Sequence, residues 1–171
     1  LLSHTRDDVR CWVIRMITDH ATPEGMKQWI PVLPTLATVA EIETSPLVLS
    51  QLASTLRRLV QSKTEKAVCI SLLQSLLNNK YWNDDNHGPL LLWWAIEEIL
   101  SQSNLQFDCS LFGVQKDSTT PNIELKRFLL ERISRRFMSA ETQAGYLSQA
   151  RLLEYCSSHP APNSWLNSVL K

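Results

Sequence analysis

Three stretches of the chain carry the same apolar stripe: Val9, Val13 and Ile17 recur as Val48, Leu52 and Leu56, then as Leu91, Ala95 and Ile99. Each set is spaced i, i+4, i+8, and the offsets between sets are 39 and 43 residues. That spacing puts each triplet on one face of a helix. A helix with such a face buries it only against other helices, and the intervening segments Pro34 to Glu43 and Thr64 to Asn78 supply them. The fold class that follows is all-α: a solenoid of stacked antiparallel helix pairs, each unit covering its neighbour's apolar side.

Eight helices are expected: Asp8 to Asp19, Pro34 to Glu43, Pro46 to Gln61, Thr64 to Asn78, Pro89 to Ser101, Pro121 to Met138, Ala140 to Cys156 and Pro162 to Leu170. The alternating runs of half-buried strands are missing. Ser45-Pro46, Gly88-Pro89 and Thr120-Pro121 mark three starts. Proline at the first helical position gives up an N–H that has no intrahelical acceptor there. Between Gln102 and Thr120 the periodicity lapses around one short apolar run, Leu105 to Val114. The expected division is helix pairs over 1–101, a linker over 102–120, and a further pair with a closing helix over 121–171, in one continuous domain.

The period is that of a HEAT or armadillo unit. The first striped helix opens Asp7-Asp8-Val9-Arg10, close to the acidic-x-x-Val-Arg opening of the second helix of a HEAT unit. In that motif the arginine reaches a carboxylate or carbonyl of a neighbouring unit. Leu49 and Leu92 stand at the arginine position in the next two copies, so the arginine ladder is broken.

Seventeen basic residues balance seventeen acidic ones, which removes the general attraction of a protein that grips nucleic-acid phosphate. The longest uncharged apolar stretch, Pro89 to Ile96, is far short of the roughly 20 residues of a membrane span. Cys11, Cys69, Cys109 and Cys156 have neither zinc spacing nor the density of a disulfide scaffold, and read as buried thiols. Asn83-Asp84-Asp85-Asn86-His87 lacks the register of a calcium loop and reads as turn and cap residues. Cys156-Ser157-Ser158-His159 has serine where haem attachment needs a second cysteine. His4 and His20 flank the first helix and are expected to face solvent or cap its ends. No Gly-x-Ser-x-Gly, phosphate loop or His-Glu-x-x-His occurs. No catalytic, cofactor-binding or metal residue is therefore assigned.

Adjacent Trp93 and Trp94 lie about 100° apart on a helix, so either both are buried between units or one lines a surface. Arg57-Arg58, on the preceding equivalent helix, are expected to be solvated or to partner Glu97 and Glu98. The candidate partner-binding face is that of the second helices: Arg10, Arg15, Gln51, Arg57, Arg58, Trp93, Glu97 and Glu98.

The segments Ser45 to Ala53, Pro89 to Glu97 with its Leu-Leu-Trp-Trp-Ala run, Arg132 to Phe137 and Ala150 to Leu153 together resemble the HEAT-repeat region of the large PVC-type haem-binding, membrane-bound-dehydrogenase-like exported proteins. The resemblance implies a segment lying between a sugar-dehydrogenase-like propeller and a cytochrome c domain, in an exported or periplasmic setting. No haem-ligating residue carries over; haem c would belong elsewhere in the parent protein. The chain opens Leu1-Leu2-Ser3 and reads as part of a longer polypeptide. The expected function is a non-catalytic scaffold or spacer that meets neighbouring domains or another protein. Its rival is an accessory domain shaping a substrate or electron-transfer site of a haem oxidoreductase.

Overall fold

Helices form where the apolar stripes and proline starts place them. The computed structural model describes residues 1–19, 29–84, 87–112 and 122–158. Among these are seven α-helices and no strand: α1 (Asp7–Asp19), α2 (Leu33–Ile42), α3 (Pro46–Gln61), α4 (Lys66–Asn78), α5 (Gly88–Gln102), α6 (Ile123–Ser139) and α7 (Gln143–Ser158). The expected helix at Pro162 to Leu170 and the start at Thr120-Pro121 lie outside the described residues. No helix among the described residues is long and apolar enough to cross a membrane.

Pro46 is the first residue of α3, whereas Pro89 is the second of α5, behind Gly88. The start of α7 falls at Gln143 rather than Ala140 because Glu141 takes a left-handed φ of 52°. Thr142 then caps the helix, its Oγ1 accepting from the Gly145 N–H at 3.1 Å.

Packing follows alternate elements. In one row α1 packs on α3, α3 on α5 and α5 on α6. In the other, α2 packs on α4, and α4 on a 3-10 turn at Cys109–Phe112. That turn meets α7 through Tyr155, whose ring lies 5.9 Å from both Phe107 and Phe112. Within the described part of the expected linker, Phe107, Leu111 and Phe112 of its apolar run are buried in the core. One apolar cluster runs from Ile14 to Cys156.

Val48, Leu52, Leu56 and Ala95 of the repeated stripes are fully buried, while Val9 and Val13 of α1, which among the described helices packs in the row on α3 alone, are half-buried. Leu49 and Leu92 are also fully buried. The positions equivalent to Arg10 in the second and third stripes are thus core leucines.

A polar line runs across the row ends. Arg10 donates from Nε and Nη2 to the two carboxylate oxygens of Glu43, at 2.9 and 2.8 Å, and from Nη1 to the His4 carbonyl at 2.7 Å. Glu43 Oε1 also accepts from the Thr44 and Ser45 amides. Burial pushes its carboxyl up, but the Arg10 guanidinium and those amides outweigh burial and hold it below the ordinary carboxylate range. One step further, buried Asn79 donates to the carbonyls of Ala40 and Glu43, both at 2.8 Å. Asn122 repeats the contact on the carbonyls of Leu77 and Asn79. Each side chain satisfies carbonyls left open at the end of the preceding helix in the second row.

Candidate protein-interaction face

The solvent side of the first row gathers most, but not all, of the expected site residues. Arg15 is exposed, 3.5 Å from Asp19, with its guanidinium 5.4 Å from the Trp12 ring centre. Asp19 also takes Arg58 from α3 at 2.8 Å. Arg57 lies 5.7 Å from the centre of the Trp94 ring, joining α3 to α5. Gln61 donates to Glu98 at 3.2 Å, and Arg136 of α6 approaches Glu97 at 3.6 Å. Gln51 is half-buried and donates to Thr55 on its own helix at 3.3 Å.

Two expected members leave the face. Trp93 is only 8% exposed whereas Trp94 is 43% exposed, so the doublet splits, with the second tryptophan outward. Trp93 is held under Arg132, whose guanidinium lies 6.0 Å from its ring centre and 4.5 Å from that of Phe128. Arg10 turns to Glu43 at the row end, where its side chain is mostly buried. Arg57 and Arg58 do not pair with Glu97 and Glu98; Asp19 on the other side of α3 and the Trp94 ring take them instead.

Trp12 was missed. It is 61% exposed, and the signal was available: Trp12, Gln51 and Trp94 are related by the same 39- and 43-residue offsets as the core stripes.

Comparison of the chain with protein-family models, curated proteins and solved structures gives no match.

Other candidates lie apart from it. Cys69 and Cys156 are buried, and burial pushes both thiols up to about 11, away from nucleophilic use. Cys109 departs from the expectation of buried thiols: it is exposed at the head of the 3-10 turn, because Leu111 and Phe112 take the core side. His4 accepts from the Arg6 amide at 3.1 Å, ahead of α1. His20, Asp85, Asn86 and His159 lie outside the described residues. A cleft of about 560 Å³, lined by Leu2, Val13, Val39 and Ile42 among others, opens beside α1 and α2.

Proposed function

We propose that the chain is a HEAT-like α-solenoid segment acting as a non-catalytic scaffold, which holds neighbouring domains or docks a partner protein. One observation supports this reading above the rest: helices pack with elements two places on, in two rows, at the offset of the sequence repeat. Stacked helix pairs pack in this way, and such stacks present long faces rather than enclosed pockets. The resemblance to the repeat region of PVC-type haem-binding, dehydrogenase-like exported proteins is part of the proposal, and would make the segment a spacer or docking platform between redox domains.

The face on α1, α3 and α5 is where docking is expected, because it combines large exposed rings with arginines, the residue types that dominate interface energetics. Immobilised and folded, the chain should retain at least one protein from an extract of its source cells. That retention should be lost when Arg57, Arg58, Glu97 and Glu98 are all changed to alanine. The ion pairs removed are partly exposed, so the cost in stability is about 1 kcal/mol or less for each. A bait with the circular dichroism and melting of the folded chain that retains nothing would overturn docking.

A further inference from the structure

We propose that the end of the two rows formed by the outer sides of α1 and α2 receives a further helix pair of the same repeat, carried by the same polypeptide. The inference rests on the scaffold reading above and names what the first pair packs against.

The repeat itself selects that occupant. On α1 the buried residues Ile14, Ile17 and Thr18 lie on one side, and Val9, Val13 and Met16 lie about a third of a turn round from them. At the 39-residue offset their counterparts on α3 are Val48, Leu52 and Thr55, all fully buried. Val9 and Val13 are only half-buried, and Met16 is 56% exposed. α3 packs between α1 and α5, whereas α1 packs in its row on α3 alone among the described helices. The arc open on α1 is therefore the one that a preceding helix covers on α3.

The second row repeats the pattern. Asn79 reaches back to the Ala40 carbonyl and Asn122 to that of Leu77. Aligning Ala40 with Leu77 sets Thr35, Val39 and Ile42 against Leu72, Leu76 and Asn79. The three later residues are buried, while Thr35 is exposed, Val39 half-buried and Ile42 74% exposed. Ile42 thus stands at the place from which Asn79 reaches the pair before its own.

Both open arcs meet in one cleft of about 560 Å³, lined by Val13, Thr35, Val39 and Ile42. Residues 1–4 border it without closing it, Leu1 being 82% exposed. The charged groups on its wall, Arg10 and Glu43, are bound to each other at 2.8 and 2.9 Å. The occupant therefore needs uncharged aliphatic side chains, such as the isoleucines and leucines that α1 and α2 themselves bury. A single helix would cover one row and leave the other open. A second copy turned face to face would bring another receiving arc, whereas a unit joined at the repeat offset brings the covering one.

The chain supplies its own test unit. Residues 1–45 joined directly to a second Asp7, and on to Lys171, place α1 after a copy of α2 as α3 is placed after α2, since Asp7 and Pro46 are 39 residues apart. The extended chain should unfold in urea in one transition, with a higher midpoint and a steeper slope than the original. Val13→Asp with Val39→Asp, made in the pair that becomes internal, should lower that midpoint about twofold further than the same change lowers the original's. An added pair that melts in a separate, earlier transition, or that leaves the midpoint unchanged, would overturn the proposal. So would a dimer of the original chain in analytical ultracentrifugation that Ile42→Asp converts to monomer, which assigns this end to a second copy. Either result leaves the scaffold reading standing, because that reading is decided by capture on the face of α1, α3 and α5.

Discussion

Lys126 is 2% exposed on α6, one turn after Asn122, and its ammonium donates to Asn78 Oδ1 at 3.3 Å. Burial pulls its pKa down to about 8. A lowered folded value means the unfolded chain binds more protons between about pH 8 and the ordinary lysine range near 10.4, so stability rises with pH across that window. Below pH 8 the amine is charged in both states and its burial costs the fold the full amount. Lys126→Met should therefore raise stability at pH 7 by about 2 kcal/mol, as replacement of a buried charge by an apolar chain of similar length often does. Urea melts of the two proteins at pH 7 and pH 9.5 would check this, since their midpoints should converge as wild type sheds the proton. A gap that stayed constant or widened with pH would show that Lys126 is stabilised as a cation.

Most helices could be read from the sequence because their signals are local: a four-residue apolar spacing, Ser45-Pro46, and turn-forming residues between. What escaped was set between elements. The start of α7 depends on the left-handed Glu141 and the Thr142 cap, and the choice of Trp94 over Trp93 depends on where α6 delivers Arg132. The packing of Phe107 and Phe112 could not be read from the expected linker because their ring partners, Phe137 and Tyr155, come from later helices. Gly145 is of the same kind. It reads as an ordinary weak residue in a helix, yet a Cβ there would stand 2.5 Å from the carbonyl oxygen of Phe137 in α6. Alanine would gain up to about 1 kcal/mol of helix propensity, but forcing two backbones apart costs about 1–3 kcal/mol. Gly145→Ala should therefore lower the urea midpoint. A rise would mean that α7 shifts freely against α6.

Across the whole molecule, two kinds of contact join one helix pair to the next: the apolar rows and the polar line through Arg10, Glu43, Asn79 and Asn122. Their magnitudes decide which couples the units. Fully burying a leucine contributes about 1.5–3 kcal/mol, and Leu36, Leu49, Leu52, Leu56, Leu72, Leu73 and Leu92 are all fully buried along the two rows. Removing the Asn79 amide leaves the Ala40 and Glu43 carbonyls without that donor, which costs about 2–3 kcal/mol. Asn79→Ala should therefore lower the urea midpoint by a corresponding amount while leaving the slope of the transition unchanged, because the apolar rows still make the units unfold together. A shallower slope, with α1–α3 melting ahead of the remainder, would assign the coupling to the polar line. In that case Asn79 and Asn122, each donating to carbonyls at the end of an earlier helix, would be what holds α2, α4 and α6 together.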